Sequence, residues 1–235
     1  MAISSPRQNP AYKPPDIFMP NHPETSRKNF PVFRTFNDSL VYAVVFELGL
    51  GLLAIVLGLF FGVNPREHLA PWWDWFGILK SLGLGAAIGL ALALAMQIFT
   101  VLPIRSVHRL DRMVQSQLRT LLGPMSIPEL ILLSLSAGIG EEFFFRGLVQ
   151  GWWMSFYENA SFVQALPGIM ISSICFGFAH PLSKTYIALA TLAGLLFSIL
   201  YWASGDLLAC VLAHAIYDAI ICVYWKWTEG RVSKH

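Results

Sequence analysis

Charge is scarce in this chain. Asp, Glu, Lys and Arg make up 13% of its 235 residues against 55% hydrophobic, and the mean hydropathy is +0.57. Soluble domains carry about twice that share of charge, which excludes a water-soluble fold and indicates an integral membrane protein. The net charge of +2 is too small and too dispersed for binding to a phosphate backbone. Nucleic acid drops out as a partner, leaving lipids and proteins. Cysteine is nearly lacking as well: Cys175, Cys210 and Cys222 are odd in number, lie in apolar runs and have no C-x-x-C spacing. They suggest neither a disulfide framework nor a zinc ribbon. There is no H-E-x-x-H helix, no repeated unit, and no secretory signal pattern ahead of the first apolar run.

What the chain does have is apolar length. Stretches over residues 39–63, 81–102, 127–152, 163–180, 185–204 and 206–225 each approach the ~20 residues a membrane helix needs, so six spans are expected. Ahead of them, Pro6, Pro10, Pro14, Pro15, Pro20, Pro23 and Pro31 among polar neighbours read as a disordered or extended tail over residues 1–38. Ser126, Ile127, Pro128 and Glu129 form a capping-box pattern with proline in the first turn, which should start the third helix. The small-xxx-small pairs Gly85/Gly89 and Ala190/Gly194 mark close helix contacts.

The basic residues set the expected topology. Arg7, Lys13, Arg27, Lys28, Arg34, Arg105, Arg109, Arg112, Arg119, Lys184, Lys226, Arg231 and Lys234 fall on one side of a six-span chain, while Arg66 and Lys80 fall on the other. The positive-inside rule then puts both termini in the cytoplasm; in a prokaryote that membrane is the inner one. Between the second and third spans, Val107, Leu110, Val114, Leu118, Leu121 and Leu122 share a helical face. This predicts an amphipathic helix on the cytoplasmic surface, a soluble connector being the alternative. The fold class is therefore all-α: a polytopic transmembrane bundle with an interfacial helix.

Ionisable groups interrupt three of these apolar segments: Glu141, Glu142 and Arg146, then His180, then His214 with Asp218. Such groups are costly in hydrocarbon and persist there mainly where they pair or work. Glu142 and Arg146 are four apart and can neutralise each other, whereas Glu141 points about 100° away with no built-in partner. An unpaired carboxylate in an apolar setting binds a proton more readily than one in water, which suits a general base. Alone, a Glu–Arg pair equally well fastens two helices, and a lone His is most simply a hydrogen-bonded core residue; three helices each bringing such groups point to a site. Glu47, without a sequence-local partner, reads as packing or an accessory polar contact, and Asp206 as a helix N-terminal residue favoured by the dipole.

These motifs, Glu141-Glu142-xxx-Arg146, Phe176-xxx-His180 and His214-xxx-Asp218, resemble in type and order those of the CPBP family, the CaaX-protease and bacteriocin-processing (Abi) membrane proteins that include the type II CaaX prenyl endopeptidases. The resemblance covers roughly residues 125 to 222. It implies an intramembrane endopeptidase of glutamic type: Glu141 and His180 activating water, His214 and Asp218 facing the scissile carbonyl, Glu142 and Arg146 holding the geometry, and Phe176 packing. It implies no metal and no cofactor, and a peptide or protein substrate, free or membrane-anchored. The compact chain looks closer to the prokaryotic members. The corresponding division is a tail at 1–38, two helices and the interfacial helix at 39–125, a catalytic four-helix core at 126–225, and a C-terminal tail at 226–235.

One departure concerns Asp218, where the type II CaaX enzymes have Asn. An amide donates to an oxyanion, but an ionised carboxylate cannot. Asp218 therefore either stays protonated as a donor, which the lack of a sequence-near cation favours, or orients His214. Depth is a second difficulty: helical rise puts Glu141 about 20 Å from the start of its helix, while His180 ends the next one. Either the third helix opens into a cytoplasmic cavity or the fourth stops short at Pro181. Two other functions use the same residues. One is a zinc-dependent membrane protease, which metal content would separate; the other is a non-catalytic scaffold or bacteriocin-immunity protein, which has little use for an extra carboxylate at Glu141.

Overall fold

The computed structural model describes residues 36–100, 112–114, 116–120 and 122–232. Residues 1–35 of the tail expected over 1–38 and most of the expected interfacial face, including Val107, Leu110 and Leu121, lie outside the described residues, while residues 36–38 already belong to the first helix. Six long helical elements follow in order: α1 (Phe36–Phe61), α2 (Trp75–Thr100), α3 (Ile127–Glu142, continued by a π-helical stretch Phe143–Gln150 and a final turn Gly151–Met154), α4 (Phe162–Phe178), α5 (Lys184–Ser204) and α6 (Leu207–Val232). Among the described residues there is no strand. In the connector before α3, residues 112–114 and 116–120 are helical. There Val114, Leu118 and Leu122 are half-buried while Arg112, Ser116, Gln117, Arg119 and Thr120 are exposed, the expected amphipathic pattern.

Local signals set the helix ends. The capping box before α3 is formed, with Ser126 N and Oγ donating to Glu129 Oε2 at 2.8 and 2.6 Å. A second, between Ser161 and Gln164, starts α4. Gly205, at φ 62°, closes α5 in the left-handed region that favours glycine. Asp206 then accepts from Ala209 N at 3.0 Å and from Ser81 Oγ at 2.5 Å, so this helix-start carboxylate also ties α6 to α2.

Among the described residues, four helical stretches are long and apolar enough to cross a membrane: Asp38–Phe61, Trp75–Thr100, Lys184–Ser204 and Leu207–Thr228. The other two expected spans differ. α4 is apolar but has 17 residues, about 25 Å by helical rise, and α3 carries the ionisable motif and the π-helical stretch. α6 runs on past the expected end at residue 225.

Small residues fix how the helices meet. A Cβ on Gly85 or Gly89 would lie 2.8 or 2.7 Å from the carbonyl oxygens of Ala209 and Ala213, so α2 packs backbone-close along α6. Gly194 of α5 lies against Ser173 of α4, where a Cβ would come within 3.2 Å of the Ser173 backbone. α3 and α5 run parallel, joined one turn apart by Arg146 Nη2 to Gly194 O (3.0 Å) and Gln150 Nε2 to Ser198 O (2.9 Å). α4 runs back along α3, with Ser172 Oγ donating to Phe145 O at 2.8 Å.

Candidate active site

At the centre of the bundle Glu142 and Arg146 are fully buried, with Glu142 Oε1 2.8 Å from Arg146 Nη1. The guanidinium lies over the Phe176 ring, 4.5 Å from its centroid, and over Phe197 at 5.3 Å, so its charge rests on one carboxylate, one carbonyl and two ring faces. The same Oε1 also receives His214 Nδ1 at 2.8 Å. Sequence spacing pairs Glu142 with Arg146 alone; the second bond joins α3 to α6 and is invisible to an i,i+4 argument. His214 Nε2 in turn faces Asp218 Oδ2 at 3.4 Å. Phe197 stacks on the imidazole, 5.0 Å away and 11° from parallel.

Glu141 takes the other side of α3, as the 100° step predicts. Its Oε1 lies 3.8 Å from His180 Nε2. His180 Nδ1 is 2.8 Å from Phe176 O; since the carbonyl only accepts, Nδ1 carries a proton, and Nε2 is the nitrogen that faces Glu141. Phe176 thus sits between both histidines and the arginine, with centroids 4.8 Å from His180 and 5.8 Å from His214. Accessibility divides these groups in two: the side chains of Glu142 and Arg146 are 0% exposed and His214 5%, against 12% for Glu141, 26% for His180 and 32% for Asp218.

The depth difficulty is resolved by register. A Cβ on Gly168 would meet the Trp153 side chain at 2.9 Å, so the first turns of α4 project past the end of α3. Counting back from there, Ser172 reaches Phe145, and His180, after a helix that stops at Phe178, reaches Glu141. Of the two alternatives, α4 does stop short of Pro181.

Two neighbours were not singled out from sequence as site residues. Tyr186, in the first turn of α5, has its ring 6.2 Å from His180 and interacts electrostatically with Asp218 and Glu141. Glu47 of α1 interacts electrostatically with Glu141, His214 and Asp218. Its backbone lies against Gly140, where any Cβ would overlap the Glu47 carbonyl. Nothing local in the α1 sequence announces this, because the contact depends on a helix crossing. Among the described residues no three His, Cys, Asp or Glu side chains converge as metal ligands would.

Comparison with known proteins finds one similarity, over the part of the chain that carries the site. Residues 123–220 match the family model described as type II CAAX prenyl endopeptidase Rce1-like. No curated protein and no solved structure matches the chain. The matched stretch holds all three polar motifs, so this part of the chain is similar to the CAAX proteases of the membrane.

Proposed function

We propose that this CAAX-type membrane protease hydrolyses a peptide bond by a glutamic mechanism in which Glu141 and His180 hold and activate one water. The observation that carries this reading is the 3.8 Å separation of Glu141 Oε1 and His180 Nε2, two acceptors, both partly accessible, at a distance a water can bridge. The water donates one hydrogen to each, and its oxygen attacks the scissile carbonyl carbon. The proton taken by Glu141 passes to the leaving amine as the C–N bond breaks, restoring the carboxylate. Both ring nitrogens of His214 face carboxylate oxygens, which suits an imidazolium donating on each side. In this reading Asp218 is the orienting acceptor, and because its contact is long at 3.4 Å, the His214 Nε2–H is shared between Asp218 and the developing oxyanion. This reverses the sequence-based preference for a protonated Asp218. Residues 126–225 form the catalytic core, Glu142 and Arg146 hold its geometry, and both termini are cytoplasmic.

The test compares N-termini in membrane proteomes of cells carrying the wild type, Glu141→Gln and Glu142→Gln. Glu141→Gln abolishes a set of termini with the protein folded at wild-type level. Glu142→Gln instead lowers the folded amount, because a buried arginine left without its carboxylate costs ~3 to 5 kcal/mol. Retention of every terminus in a folded Glu141→Gln protein overturns the mechanism.

A further inference from the structure

Glu47 lies in an apolar stretch of α1, outside the family-matched residues 123–220, and an ionisable group at such a place points to function. Its Oε2 is buried without a hydrogen-bond partner, and so is Oε2 of Glu141. Glu141 turns its other oxygen toward His180. The Glu47–Gly140 backbone contact brings α1 directly against the residue preceding Glu141. The ionisable groups around this point are Glu141 and Glu142 on α3, His180 after α4, Tyr186 on α5, and His214 and Asp218 on α6. The nearby cationic group, Arg146, is spent on Glu142 and Gly194 O.

An unsatisfied buried carboxylate oxygen needs a donor, and two neighbouring carboxylates ease their repulsion by keeping one proton between them. We propose that Glu47 and Glu141 form a carboxyl pair holding one proton, in which Glu47 is a positioning residue that donates to Glu141 Oε2 and keeps Oε1 aimed at the water. This rests on Glu141 acting as the base. No bond is made or broken at Glu47; it orders the base and returns to the same state each turnover.

Two measurements test it. The first needs no activity: infrared difference spectra of the purified protein in detergent should show a protonated-carboxyl C=O band that changes on Glu47→Gln and again on Glu141→Gln, because both share one hydrogen bond. A band that responds to neither, or to one alone, overturns the pairing even if the protease reading stands. The second follows, in membranes, formation of a terminus that depends on Glu141. Glu47→Leu, suited to lipid and expected to fold, should lower the rate about 10-fold or more. Glu47→Gln, which still donates, should keep much of the rate while the alkaline limb of its pH profile, where the pair gives up its shared proton, moves to higher pH, because an amide has no such proton to lose. Wild-type rate and profile in both variants overturn the role of Glu47. Failure of Glu141→Gln to change any terminus sinks the mechanism instead, and leaves the infrared measurement to decide the pair.

Discussion

Glu142 Oε1 receives donors from two helices at 2.8 Å, Arg146 from its own and His214 from α6. One oxygen thereby fixes the imidazole as well as neutralising the guanidinium, and Phe197 stacked on the ring removes its remaining freedom. Asp218 is the more accessible end of this chain of contacts. With Asp218 as the orienting acceptor, Asp218→Asn should lower turnover about 100-fold, on the scale of losing an oxyanion donor, with no loss of folded protein. Turnover near wild type in Asp218→Asn would instead make residue 218 the donor itself. The rate of a Glu141-dependent cleavage in membranes decides between them.

At the scale of elements, the crossing of α1 and α3 is the tightest constraint around the site. Gly140 meets the Glu47 carbonyl and lies against Gly51, and backbone at that distance has no side chain to swing aside. Gly140→Ala should force the helices apart, destabilising by about 1 to 3 kcal/mol as overpacking does, and should lower activity further by moving Glu47 away from Glu141. Thermal unfolding in detergent, set beside the cleavage rate, checks both; unchanged melting and rate would mean that α1 is free to shift. The π-helical stretch Phe143–Gln150 follows directly after the two glutamates. It carries Arg146 and Gln150, whose side chains reach the α5 carbonyls of Gly194 and Ser198, consistent with the tendency of π segments to occur at functional sites.

For the whole molecule, successive helices alternate in direction: α3 parallel to α5, α4 against both, and α6 parallel to α2. Four of them meet the length and apolarity of a span, and short apolar α4 packs between α3 and α5. With basic residues concentrated on one side of the helix connections, reporters fused to the N-terminus and to the C-terminus should both be active in the cytoplasm. Reporters on opposite sides would require an odd number of crossings and would remove α4 or α3 from the set.

How much of this was legible in the sequence follows from the range of each interaction. The helical bundle, the capping box at Ser126, the Glu142–Arg146 pair and the divergence of Glu141 from it all lie within a turn or two of one helix, so apolar length and the 3.6-residue period were enough to find them. The order of the polar motifs was likewise readable, and with it the resemblance to the CAAX proteases. The approach of Glu141 to His180, the bond from His214 to Glu142, the place of Glu47 and the π-helical stretch were not. Each depends on how far one helix slides along another and at what closeness they cross. Those quantities are set jointly by glycines such as Gly140 and Gly194, by the early stop of α4 and by the projection of its first turns beyond Trp153, and only the packed tertiary structure brings them together.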